Sequence, residues 1–145
     1  MKSSFGNIVK LLGIVVVVLV IGFLFKNRIQ SLLSAIKNRR KIREEKKLLD
    51  DLGMVLTYPP SWYSSNAQKL YSALYTNWLD WNCNETEVIK VFNQLQNDLD
   101  FVELSLAFGV KDSYDLTQWI YSCLNASEIN NLNQLLAQKG ITKRL

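Results

Sequence analysis

Hydrophobic and polar positions divide the chain into three stretches of different texture. From Leu11 to Phe25 every residue is apolar or glycine, and extending back to Phe5 adds only Asn7 and Lys10 as interruptions. As a helix, residues 5–25 would cover about 30 Å, the thickness of a hydrocarbon core, so this stretch is expected to span a membrane once. Lys10 lies near one end, where its long stem can reach the headgroups. A cleaved signal peptide is the alternative reading. It fits less well, because its apolar region is typically shorter and no small-x-small cleavage site follows Phe25, where Lys26, Asn27 and Arg28 stand instead.

In the second stretch Ile29, Leu32, Leu33 and Ile36 recur at i, i+3, i+4 and i+7, one face of a helix that continues the span. Residues 37–47 are then nearly all charged, with Ile42 the one apolar residue, before Leu48, Leu49 and Leu52 lead to Gly53.

In the third stretch Tyr58, Pro59, Pro60 and Ser61 read as a breaker, after which apolar residues return at helical spacing. The spacing predicts a helix over 66–77, capped by Ser65, with Leu70, Leu74 and Trp78 on its inner face. Asn84, with Glu87 three positions on, is a capping box opening a second helix to about residue 96, with Val88, Val91, Phe92 and Leu95 inward. A third, over 100–108, stops at Gly109. Asp115 with Gln118 and Asn125 with Glu128 repeat the capping pattern and start helices over 116–124 and 126–138. The last stops at Gly140 followed by apolar Ile141, a Schellman pattern.

No run alternates with period two, so the expected fold is all-α. It comprises a short N-terminus and transmembrane helix (1–25), a basic amphipathic juxtamembrane helix (26–52) and a compact five-helix domain (53–145). The glycosylation patterns at Asn84 and Asn125 both coincide with helix caps, which explain them without a glycan.

Charge sharpens the division. Residues 1–52 hold 11 basic and 4 acidic side chains, whereas residues 53–145 hold 6 and 9, so the overall net charge of +4 describes neither part. The basic residues beside the span lie mostly after it, which favours the C-terminal part in the cytoplasm. Three roles fit the basic stretch with Arg39, Arg40, Lys41, Arg43, Lys46 and Lys47: attraction to anionic lipid, binding of nucleic acid, or a solvated spacer that sets topology. Nucleic acid is disfavoured because no aromatic residue interleaves these charges to form a stacking platform.

Histidine is absent and there are two cysteines. The commonest general base is therefore missing, and a four-thiolate zinc site cannot be built from this chain alone. The carboxylates sit mainly at helix starts, where they favour the macrodipole. No catalytic residues, metal ligands or cofactor site are expected.

Residues 58–141 resemble a single annexin-like repeat of the kind found in short, membrane-anchored proteins of bacteria and bacteriophages. The resemblance rests on Leu56–Thr57–Tyr58–Pro59–Pro60, on Val88–Ile89–Lys90–Val91–Phe92 followed by Asn97 and Asp98, on Ala107–Phe108–Gly109–Val110–Lys111–Asp112, on residues 116–120, and on Leu136–Ala137–Gln138–Lys139–Gly140–Ile141. Calcium-binding annexin repeats carry G-x-G-T-D-E in the loop between their first two helices. Here Trp81 and Cys83 replace the glycines and Asn84 the threonine, so the carbonyl geometry is lost and calcium is disfavoured. Trp78 and Trp81, with Trp62, give that loop an aromatic character suited to a lipid or protein interface, or to filling the core. In such repeats the regions holding Cys83 and Cys123 lie near one another. A disulfide between them would require an oxidising side of the membrane.

These observations imply a non-enzymatic, membrane-anchored helical interaction module. Lipid is its partner through the span and basic helix, and a protein of unspecified identity is its partner near the membrane surface. The resemblance adds an alternative: a bacteriophage or mobile-element structural protein acting at the cell envelope, carried in the virion.

Overall fold

The computed structural model describes residues 3–75 and 83–145, with residues 3–24 described by their backbone alone. Among these the chain forms six helices: α1 (Ser3–Asp51), α2 (Pro60–Leu74), α3 (Glu85–Gln94), α4 (Asp98–Phe108), α5 (Leu116–Cys123) and α6 (Ala126–Gln138). The protein is all-α. Lys111 and Tyr114 form an isolated bridge, the sole β-type pairing among the described residues.

Local chemistry sets most of the ends. Asn84, Asn97, Asp115 and Asn125 each accept a backbone N–H of the following turn; at Asp115 and Asn125 the reciprocal side-chain bond completes a capping box, whereas at Asn84 the expected box is only half formed, the Glu87 carboxylate pairing with Lys90 instead. Helix α1 stops at Gly53, whose φ of 78° suits the left-handed stop. Met54 N–H bonds back to Leu49 O at 3.1 Å there. After α6 the same pattern recurs, with Gly140 at φ 73° and Ile141 N–H on Leu136 O at 3.0 Å.

Helix α2 departs from its expected start. It begins at Pro60, not near Asn66, and Ser65 is an interior residue. The Pro-Pro pair ends the preceding extended segment and also opens the helix, because proline at the first helical position gives up no intrahelical bond. Likewise α4 begins at Asp98, two residues early, because Asn97 is its cap.

Helix α4 is buried along most of its length. Leu99, Phe101, Val102, Leu104 and Phe108 are all buried, so it is apolar nearly all round and needs cover on more than one side. Helix α2 packs on it, and so does α1. The main core joins Tyr63, Leu70, Leu74, Phe92, Leu95, Phe101, Leu104, Ile120, Leu132 and Leu136 with their neighbours and, among the described residues, includes none from α1. Leu99 and Val102 are buried outside that cluster. By helical spacing they share a side of α4 with Glu103, which pairs with Lys46 of α1.

The second half of α1 is therefore docked on the bundle rather than free in solvent. Ser31, Ala35, Asn38, Arg39, Ile42, Glu45, Lys46 and Leu49, one helical side, are buried or half-buried. The apolar residues that the sequence places on one face, Ile29, Leu32, Leu33 and Ile36, lie on a different side and are exposed. Asn38 Nδ2 donates to Asp115 Oδ2 at 3.0 Å, Lys46 Nζ to Glu103 Oε2 at 2.6 Å, and Gln118 Nε2 to Ser31 O at 3.5 Å. Glu45 pairs with Lys143, whose burial holds its ammonium below the usual lysine range.

Because the core closes without α1, a fragment of residues 53–145 is expected to fold. It should be less stable than the full chain by about 3 kcal/mol, the scale of re-exposing Leu99 and Val102. Urea unfolding of both forms checks this; equal stability would mean that docking contributes nothing.

Candidate functional site

The six basic residues that the sequence groups together are sorted by the docking of α1. Lys46 is committed to Glu103. Arg39 is half-buried, with its guanidinium beside Gly109 at the C-terminal end of α4. A Cβ built at Gly109 would lie 3.7 Å from Arg39 Nη1, an ordinary contact, so the glycine answers to its φ of 70° rather than to crowding. Arg40, Lys41, Arg43 and Lys47 are exposed. Arg39, Arg40 and Arg43 line a recess of about 370 Å³ together with Ile36 and Val110. Among the described residues none of the three arginines forms an ion pair.

Trp78 and Trp81 lie outside the described residues. Trp62 stacks on Tyr58 with centroids 4.1 Å apart and packs against the core. The structure adds an aromatic group that the sequence reading passed over. Trp119 meets Tyr71 edge to face at 5.6 Å and Tyr114 at 5.9 Å, and lies 6.1 Å from Tyr75. Trp119 Nε1 donates to Lys111 O at 3.0 Å. Lys111 Nζ sits 4.8 Å from the Tyr71 ring centroid, a cation–π contact.

The group is built on a tight turn between α4 and α5, where Asp112 and Ser113 take φ of 50° and 77°. Left-handed conformations at two successive non-glycine residues cost energy. One local compensation is visible, since Tyr71 O–H donates to Asp112 Oδ2 at 2.6 Å. That bond, with burial, pushes the Tyr71 phenol up to about 12. The signals for this corner were the i, i+4 pair Tyr71 and Tyr75 and the small polar pair Asp112–Ser113. Neither is distinctive alone. Cys83 and Cys123, with Cα atoms 5.9 Å apart, are joined as a disulfide.

Two buried carboxylates also escaped sequence reading. Asp100 is fully buried and accepts from Tyr63 O–H at 2.6 Å, Gln96 N–H at 2.9 Å and Thr57 N–H at 3.0 Å. Burial alone would raise its pKa, but these donors hold the carboxyl below the usual range. The same burial and bond raise the Tyr63 phenol. Asp98 accepts from Thr142 N–H at 2.7 Å and Thr142 O–H at 2.6 Å, which ties the C-terminal tail to α4. Both carboxylates are filled by structural donors, so they organise the fold rather than offer a free acid or base.

Among the described residues no helix is long and apolar enough to cross a membrane. The expected span, residues 5–25, falls almost wholly on residues whose side chains lie outside that description, although the backbone of α1 runs through it without a break. A comparison with known protein families, curated proteins and solved structures finds no match to this chain.

Proposed function

We propose that this protein is a non-enzymatic, membrane-anchored interaction module, with residues 5–25 as its single span and the helical bundle as the part that meets a protein partner. The apolar run belongs to the same unbroken helix whose later turns are locked to the bundle through Asn38–Asp115, Lys46–Glu103 and Glu45–Lys143. A swivelling tether would need a flexible joint, and α1 has no such interruption.

This geometry bears on what the bundle can touch. On a helix standing upright, Lys46 rises about 32 Å beyond Phe25. Surface potentials fade within about 8 Å at physiological salt, so the basic turns sit too high to be held by the anchoring bilayer. A protein partner fits better than lipid for the bundle. Tyr75 and Tyr114, exposed beside Trp119, supply aromatic area of the kind that protein interfaces favour. The annexin-like resemblance is consistent with this role, with the calcium loop replaced. The paired cysteines support an oxidising compartment for the bundle, against the cytoplasmic side that the basic flank favours.

Extraction tests the anchor. After alkaline carbonate washing, the full-length protein is expected to stay in the membrane pellet, because fifteen consecutive apolar positions lose their solvation on release. Recovery in the wash would remove the span and the tethering with it.

A further inference from the structure

We propose that the recess between α1 and the end of α4 is a binding site for a phosphate-class oxyanion, held by Arg39, Arg40 and Arg43. The recess, about 370 Å³, is more than enough for one tetrahedral anion, and Ile36 and Val110 give it apolar walls. Three guanidiniums lie within five residues. Arg39 and Arg43 are four apart and Arg40 and Arg43 three apart, spacings at which like charges on a helix repel. Among the described residues no carboxylate forms an ion pair with these arginines. Glu45 is paired with Lys143, Glu103 with Lys46, and Asp115 is bonded to Asn38 and Gln118. Glu44, four residues beyond Arg40, makes no ion pair with it.

Arg39 adds a cost of its own, because its Nε is buried and has no hydrogen-bond partner among the described residues. An unpaired buried guanidinium nitrogen is costly, and the C-terminal end of α4 beside it offers only the partial negative charge of a helix dipole. A bound oxyanion would not reach the buried Nε but would give the outer guanidinium nitrogens of the cluster charge-assisted bonds, and guanidinium forks match phosphate oxygens in pairs. The site needs α1 docked on the bundle but does not need a bilayer, so it goes beyond the membrane reading and can fail separately from it.

A phosphate group could be free in solution or part of a lipid headgroup. On an upright helix Arg40 and Arg43 stand about 23 and 27 Å beyond Phe25, which favours the free anion.

The test uses the full-length protein in neutral-detergent micelles, titrated calorimetrically with inorganic phosphate and with pyrophosphate at constant ionic strength. Saturable binding is expected, tighter for pyrophosphate. The Arg40→Gln/Arg43→Gln variant should weaken it at least about tenfold, and Lys41→Gln, which removes the same kind of charge outside the recess, should change it less than about twofold. If the double glutamine variant does not fold, Arg40→Lys/Arg43→Lys keeps the charge and loses the forks, and an intermediate weakening is expected. Heats that do not saturate, equal binding of chloride, or equal loss in Lys41→Gln would overturn the proposal. Repeating the titration in phosphatidylcholine and phosphatidylglycerol nanodiscs assigns the source. Equal phosphate affinity in both supports a free anion, and competition in phosphatidylglycerol supports a headgroup in the same site.

Discussion

Replacing Asp100 with alanine is expected to destabilise the protein by about 4 kcal/mol. The side chain is fully buried and forms no ion pair among the described residues, and its charge is held by the Tyr63 hydroxyl and the backbone N–H groups of Thr57 and Gln96. Removing it strands three donors, each costing about 1–3 kcal/mol when left unpaired, with part recovered where water reaches the outer two. It also frees the segment before α2, because Thr57 is anchored there by this carboxylate. Tyr63→Phe keeps both backbone donors and should cost about 1–2 kcal/mol.

The pH dependence follows with a definite sign. Asp100 has a lowered pKa in the folded state, so its contribution is present above the unfolded carboxylate value of about 3.9 and is lost as pH falls through the folded value. Urea unfolding from pH 7 down to pH 2 should show the wild type losing stability below about pH 4. The Asp100→Ala variant should lose less over that interval. Parallel curves would show that the carboxylate is not the group titrating.

Reduction of the Cys83–Cys123 disulfide is expected to lower stability by an amount of similar size. The bond closes a loop with a sequence separation of 40, enclosing α3, α4 and α5 and joining the entry to α3 with the end of α5. In the chain-entropy account a loop of that length is worth about 4 kcal/mol, and native disulfides in small domains commonly give about 2–5 kcal/mol. Unfolding with and without reductant, alongside Cys83→Ser/Cys123→Ser, measures it. A midpoint unmoved by reductant would show that the bundle holds without the crosslink. Trapping thiols by alkylation in intact cells reads the compartment from the same pair: oxidised cysteines place the bundle on an oxidising side, and fully alkylated ones return it to the cytoplasm.

Legibility in the sequence tracked the range of the interaction. The caps at Asn84, Asp115 and Asn125 and the stops at Gly109 and Gly140 were readable because each depends on residues within a turn or two. The inward set Val88, Val91, Phe92 and Leu95 followed from spacing and is buried throughout. The start of α2 was misplaced because one dipeptide, Pro59–Pro60, serves as both terminator and initiator. For α1 the most apolar side at Ile29 to Ile36 looked like the packing side, yet a more polar side with Ala35 at its centre docks. The bundle there presents Asp115 and Glu103, which select Asn38 and Lys46 rather than aliphatic side chains.

The sequence by itself determined the all-α class, most helix limits and the charge division, because helix periodicity, capping and glycine stops are local. Only the tertiary structure decided that α1 leans on α4, that Asp115 both caps α5 and receives Asn38, and that Arg39, Arg40 and Arg43 line one recess with Val110. Asp115 and Asn38 are separated by 77 residues. Pairings at such distance depend on how whole helices pack, and helix packing is set by the summed shape and polarity of their faces rather than by any neighbour along the chain.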